Sequence, residues 1–400
     1  MAETMTCYER VEAAWNLKQA DRVPVAPMVI YILPYLAGLS FRDMVEDPER
    51  LAQAAIDHQD LVGDFIHPVL TMLDHQAILP NSTWDQVSIH WRIWEHFPPR
   101  GNIPSAVFSE DMIADYDAIL EDGFAAVLFS RKVNPAVFER EVRDWLHYGF
   151  EYPRVFWQAW DRFVRETGRC LQMGARASIP FDALIHYRTF PLIAEDIVER
   201  PEKVKRACER LGRYEITTAM ARCMVAGAGH IPGAEKIFLG NGLGAPPYVS
   251  PAVFNEFVYP FLKMQVDLAV LRGFMVHVHL DGNLTLVLET LAHIADGLPR
   301  GRVMLDFEKT DMRKAKEVLG DRVCIYGNVP GALLVYGTPQ EVDLYCRDLI
   351  EACAGGGGFI LGSECEVPWD AKPDNVRAVL AAAEKYGRYG HPNRRVHPTW

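Results

Sequence analysis

RVMLDFEKTDMRKAKEVLGDRVCIYGN, residues 302–328, reads as strand, helix, strand. RVMLDF (302–307) and VCIYGN (323–328) are short apolar runs. DMRKAKEVLG (311–320) between them opens on a capping Asp, carries apolar residues at helical spacing and closes on Gly. A strand, a helix of this length and a second strand form the βα unit of a parallel sheet. The pattern spreads in both directions. Strand candidates are VPVAPMVI (23–30), DFIHPV (64–69), AAVLFS (125–130), CLQMGA (170–175), KIFLG (236–240), FMVHVHL (274–280) and GFILGS (358–363), besides the two already quoted. Helical segments separate them, among them PEKVKRACERLGRYEITTAMARCMVAG, SPAVFNEFVYPFLKMQVDLAVLRG, TPQEVDLYCRDLIEACAG and KPDNVRAVLAAAEKYG. The fold class is therefore α/β, and the expected architecture is a TIM (β/α)8 barrel with an aromatic-rich helical insertion or cap. Nine candidates compete for eight barrel positions, so one is surplus, a cap strand or part of a variant closure.

The bulk properties agree with one large globular domain over residues 1–400. At 49% hydrophobic and 24% charged residues, with mean hydropathy -0.05, the chain can bury a large core. A formal net charge of -12 repels phosphate backbones and anionic lipid, so neither nucleic acid nor a membrane is an expected partner. No apolar stretch reaches the ~20 residues of a membrane span, and MAETMTCYERVEAAW is a charged amphipathic start without a signal-peptide core. The expected location is the cytoplasm. The eight cysteines are scattered without CxxC pairs, as reduced core thiols would be, with Cys365 set apart by its neighbours. Six of the nine tryptophans fall between Trp84 and Trp160, which marks residues 80–165 as a cap or insertion. Such a stretch forms either a satellite core on the barrel or an aromatic lid over an apolar substrate.

Chemistry concentrates at two strand ends. In HVHLDGN (277–283), side-chain alternation puts His277, His279 and Asp281 on one face if the chain stays extended through Asp281. In GSECEVPWD (362–370), Ser363, Cys365 and Glu366 follow the strand GFIL. The C-terminal ends of all barrel strands face one mouth, so the two clusters can meet there. Zinc accepts mixed N, O and S ligands with a fourth position open. Spacing alone leaves open a hydrogen-bonded strand-end histidine and a core cysteine. Further polar residues at strand ends or in the following loops are candidates to line a substrate pocket: His67, Arg131, Arg176, Asn241, Tyr248 and Asn328. His277, Asp306 and Glu308 are candidates for proton handling.

RVPVAPM, PEKVKRACERL, LGNGLGAPPYVSPAVFNEFVYPFLK, HVHLDGN, YGNVPGALLVYGTPQEV and GGGFILGSECEVPWDAKPDNVRAVLAAAEKYGRY resemble, in order, landmarks of the uroporphyrinogen decarboxylase superfamily. That resemblance implies a TIM barrel and two candidate activities. Decarboxylases of the superfamily carry an Arg-rich stretch of the type MRQAGRY; the equivalent here is PMVIYILPYLAGLS (27–40), without arginine. A polycarboxylate would lose those ion pairs. The corrinoid-dependent methyltransferase branch binds zinc through His-x-Cys and a later Cys. His279 matches the His and Cys365 the later Cys, whereas position 281 is Asp. A carboxylate there gives a harder metal site than two thiolates, which shifts the expected leaving group from thiol towards oxygen.

The metal ligands that the resemblance implies are His279, Asp281 and Cys365, with Glu366 and His277 as a fourth ligand or support. The expected cofactors are bound Zn2+ and a corrinoid (cobalamin) on a separate partner protein. The expected activity moves a methyl group between that corrinoid and a small methylated compound such as an aryl methyl ether, by O-demethylation. Two alternatives stand beside it. One is a decarboxylase-like lyase anchoring a carboxylated substrate on Arg131 and Arg176, and the other a noncatalytic corrinoid-partner or ligand-binding barrel. Homodimerisation is left open.

Overall fold

A computed structural model describes residues 3–40, 43–44, 47–68, 116–121, 152–227 and 230–389. Its strands are β1 (Phe65–Ile66), β2 (Cys170–Leu171), β3 (Ala175–Ser178), β4 (Lys236–Asn241), β5 (Met275–Leu280), β6 (Val303–Phe307), β7 (Cys324–Val329) and β8 (Phe359–Ser363). β3 to β8 form one sheet in sequential order, every pair parallel, and β1 pairs in parallel with β2. This is the TIM barrel expected from the sequence. Backbone hydrogen bonds carry the ring onward through the extended segment 23–28. Leu361 N donates to Pro24 O and Ala26 N to Leu361 O; Asp64 N then donates to Val25 O and Cys170 N to Asp64 O. Gly174 N donates to Lys236 O, which joins the β2–β3 stretch to β4. Segment 23–28, β1, the β2–β3 stretch and β4 to β8 thus fill eight places, matching eight of the nine strand candidates. The ninth, AAVLFS (125–130), lies outside the described residues, as do Trp84, Trp91, Trp94 and Trp145 of the expected cap.

Alternation sorts the side chains of each strand into two cores. Val276, Val278, Leu280, Leu305, Phe307, Ile325 and Leu361 join the large core beneath the helices. Their neighbours Met275, Met304, Cys324, Tyr326 and Ile360 form a second core inside the barrel. Both faces are buried, so these strands read as near-continuous apolar runs. Gly362 makes room for the interior: a Cβ there would lie 2.1 Å from Cζ of Tyr326. Helix Cys7–Trp15 closes the N-terminal end of the barrel, contributing Val11, Ala14 and Trp15 to the interior core.

The helices form where capping and periodicity predict. Asp311 accepts from the backbone of Arg313 and Lys314 to start Met312–Leu319, and Thr338 with Glu341 makes a capping box before Pro339–Cys353. SPAVFNEFVYPFLK is less regular than one helix, for a π turn at Phe254–Val258 precedes the helix Tyr259–Val270. Pro260 lacks the amide that a regular α-helix would need at that point. Helix Tyr152–Thr167 holds the C-terminal part of the Trp-rich stretch, and its Phe156, Trp160 and Phe163 are buried in the barrel's main core. Those three aromatics therefore pack as scaffold. No helix among the described residues is long and apolar enough to cross a membrane.

Candidate metal centre

Strand register decides what meets at the mouth. Gly240 of β4 lies beside His279 of β5, His279 beside Asp306 of β6, and Asp306 beside Tyr326 of β7. His277 and His279 continue the inward-facing row begun by Met275, and Asp306 continues the row of Met304. Side chains adjacent in register on one face contact each other laterally. Oδ2 of Asp306 accordingly sits 2.7 Å from Nδ1 of His279 and 3.2 Å from Nε2 of His277. A Gln172 amide nitrogen faces Nδ1 of His277. The arrangement assigns Nε2–H of His277 and Nδ1–H of His279 as donors to the same carboxylate oxygen. It leaves Nε2 of His279 aimed at the mouth.

Two further side chains reach that nitrogen. Oδ1 of Asp281 lies 3.0 Å away and Sγ of Cys365 3.5 Å away. One ligand atom from each of His279, Asp281 and Cys365 falls within 4.8 Å of the others, a nitrogen, oxygen and sulfur set suited to a single divalent ion. Asp306 behind His279 completes the carboxylate–histidine pairing usual for a ligating imidazole. Phe238 stacks on the His279 ring with centroids 5.6 Å apart, and Ser363 donates to Cys365 O at 2.6 Å while accepting from Met28 N, which fixes the loop that carries the thiol. The thiol itself donates to Oε2 of Glu366 at 2.6 Å.

Electrostatics separate the two histidines. Burial pushes His277 below its ordinary value despite its bond to Asp306, so its imidazole is neutral. Burial acts on His279 too, but there the charges of Asp306, Asp281 and Cys365 prevail and hold it well above the ordinary value. Asp306 is depressed: burial works against its charge, and the two histidines outweigh it. Burial, then the charge of Glu366, raises Cys365 well above a free thiol. Without a cation the site thus stores protons on His279 and Cys365.

The remaining candidates divide clearly. His277 shares a face with His279, as alternation requires, but β5 ends at Leu280 and His277 sits one layer deeper, wholly buried and outside the cluster of three ligand atoms. Asp306 is equally buried and serves the histidines. Glu308, read from sequence as a proton handler, accepts from Gly282 N at 2.5 Å and pairs with Lys309 at 2.8 Å. It ties down the loop after β5. Asn328 donates to the carbonyls of Glu308 and Thr310, fixing the loop after β6. Glu366 touches Cys365 without joining the three close ligand atoms. His67 is buried inside the barrel, its ring 5.6 Å from Phe238 and 6.2 Å from His277, and burial drives it well below its ordinary value. Arg176 projects from β3 towards the triad, and Tyr248 is half-exposed on the loop after β4. Arg131 and the side chain of Asn241 lie outside the described residues. Gln172, Phe238 and Asp182 were not singled out from sequence, and Ser363, noted there beside Cys365, proves to fix the loop. Asp182 accepts from the amides of Gly242, Leu243 and Gly244 through one oxygen, holding the loop beside Asp281.

Comparison with known proteins agrees with this architecture. The chain is similar to the solved structure of a methyltransferase from Methanosarcina mazei at 17% identity, with TM-score 0.65, over 96% of this chain and 99% of that one. A B12-independent methionine synthase from Shewanella sp. W3-18-1, in complex with selenomethionine, matches at 12% identity and TM-score 0.37 over 58% of this chain and 66% of that one, too distant to carry an argument. No curated protein matches the chain. The family model described as uroporphyrinogen decarboxylase (URO-D) matches residues 92–386, most of the sequence and all the strands from β2 to β8, and the chain therefore belongs to the uroporphyrinogen decarboxylase family.

Proposed function

We propose that this chain is a zinc-dependent methyltransferase that moves a methyl group between a small methylated compound, of the aryl methyl ether class, and a corrinoid carried by a separate protein. The observation that carries this reading is the convergence of His279, Asp281 and Cys365, backed by Asp306. The name of the Methanosarcina mazei neighbour favours methyl transfer, and so does the stretch 27–40, which offers no arginine to a polycarboxylate. Bound by the triad, zinc would supply Lewis-acid polarisation of a leaving oxygen.

The chain's own residues prepare the site. Asp306 holds Nδ1–H of His279, which fixes the ring with the Nε2 lone pair facing outward. Cys365 would give up its proton if it bound a metal, and Glu366, which accepts that thiol, is placed to receive it. Asp281 replaces the second thiolate and makes the donor set harder, which suits an ether oxygen better than a thiol. A coupled assay tests the reading: the zinc-loaded chain, a reduced corrinoid protein and an aryl methyl ether should yield the demethylated phenol, and His279→Ala should abolish it. Turnover of a carboxylic acid to CO2 by metal-free protein, unaffected by His279→Ala, would replace methyl transfer with decarboxylation.

A further inference from the structure

Arg176 stands out among the cations at the mouth because it has no bonded partner among the described residues. Its Nε is buried and without a hydrogen bond, and among the described residues its guanidinium makes neither a hydrogen bond nor an ion pair. A buried Arg donor is ordinarily satisfied, since the lost hydration of an unpaired one is costly. Arg176 is nevertheless ringed by acids. Asp182, Glu366, Glu215 and Asp281 all act on its charge, and each is committed elsewhere. Asp182 caps the loop amides, Glu215 accepts from Ser178 N at 3.3 Å, Asp281 leans on His279, and Glu366 holds the Cys365 thiol. Burial works against the charge of Arg176 and prevails, and these carboxylates oppose it without occupying the fork.

The position of that fork is equally informative. A Cβ at residue 240 would lie 2.9 Å from Nη2 and 3.2 Å from Nε of Arg176, so glycine there lets the guanidinium lie close along β4, and any larger residue would push it aside. Gly240 is the register neighbour of His279, and a Cβ at Gly242 would lie 3.5 Å from Oδ2 of Asp281. Gly240 of β4 therefore leaves room for the guanidinium beside the metal triad, and the loop that begins at Gly242 runs next to Asp281.

We propose that Arg176 is the anion anchor of the substrate site, so that the methylated substrate is a carboxylic acid held by this guanidinium while its ether oxygen reaches the triad. The inference rests on the reading above that the substrate binds at the triad, and it names the substrate class. A planar fork with free N–H groups suits a carboxylate, which can accept two of them at once.

Isothermal titration of the zinc-loaded protein with the three methoxybenzoate isomers and with anisole tests it, because these compounds share ring and ether and differ in the carboxylate. Wild type should bind at least one isomer about tenfold or more tighter than anisole, as expected for a charged hydrogen-bonded pair. Arg176→Gln should erase that preference with zinc content unchanged. Arg176→Lys, which keeps the charge and loses the fork, should retain part of it and covers the case in which the glutamine variant does not fold. Wild type without a preference for any acid overturns the anchor, and so does a folded variant that binds the acids as wild type does. The two readings fail separately: acid binding without methyl transfer removes the transferase and keeps the anchor, whereas methyl transfer from anisole with no acid preference does the reverse.

Discussion

At the floor of the barrel, Arg10 donates to Asp21 at 2.7 and 3.0 Å, to Asp64 at 2.5 Å and to Met5 O at 3.0 Å, while Arg22 bonds Asp64, Glu3 and Val23 O. Lys236 beside them pairs with Glu12 and Glu235 and lies over the rings of Tyr8 and Trp15. At the mouth, Nε2 of His279, the Asp281 carboxylate and the Cys365 sulfur crowd together. Nε of Arg176, Oδ1 of Asp306 and Nε2 of His67 find no hydrogen-bond partner among the described residues. Both ends bury charge in one barrel, yet the guanidinium groups of the floor are bonded to carboxylates of the chain while the guanidinium at the mouth is not. Closed networks of this kind hold a fold together, and open convergent ones mark where a ligand supplies the missing partner.

The contrast can be broken from either side. The largest expected effect is at the floor: Asp64→Ala removes the buried carboxylate that two guanidinium groups share and should cost about 3–5 kcal/mol of unfolding free energy in denaturant titration. Zinc per folded molecule should not change. A folded but zinc-free Asp64→Ala protein would mean that the two ends are not independent. At the mouth, Cys365→Ala should weaken zinc binding by more than about a hundredfold in chelator competition while moving metal-free stability by less than about 1 kcal/mol. A large loss of stability would make Cys365 structural. Asp306→Asn keeps the shape and removes the charge behind His279, so zinc affinity should fall by about 10- to 100-fold. An unchanged affinity would deny Asp306 its supporting role.

The gentlest probe is pH. The metal-free pKa values of His279 and Cys365 are both raised, so both groups are protonated near neutrality and must release protons when a cation binds. Zinc affinity should therefore rise with pH, with a slope approaching about two logarithmic units per pH unit while both groups are still protonated, a range that extends above the ordinary histidine value. A flat profile would show that the ligands are already deprotonated.

The sequence was most legible where period decides geometry. Apolar runs separated by capped helices give the barrel, and alternation along HVHLDGN puts His277 and His279 on one face. It was less legible where neighbours come from lateral register. Asp306 reads from sequence as a proton handler because nothing in the chain reveals that it lies beside His279, a contact fixed by β5–β6 pairing. Gln172, Phe238 and Asp182 are invisible for the same reason, each acting across strands or loops far apart in the chain. Alternation also says nothing about depth, and so could not separate His277, sealed inside, from His279 at the rim. Phe156 and Trp160 carry a similar lesson, since an aromatic-rich stretch does not announce which rings belong to the core.

The central claim, that the mouth is a mixed-ligand metal centre, is tested most directly by X-ray absorption at the zinc edge on the purified, zinc-loaded chain. The account predicts one zinc per chain with a single sulfur neighbour at about 2.3 Å and nitrogen or oxygen neighbours at about 2.0–2.2 Å, the sulfur shell vanishing in Cys365→Ala. A chain that retains no stoichiometric zinc, or one whose zinc has no sulfur neighbour, would contradict it.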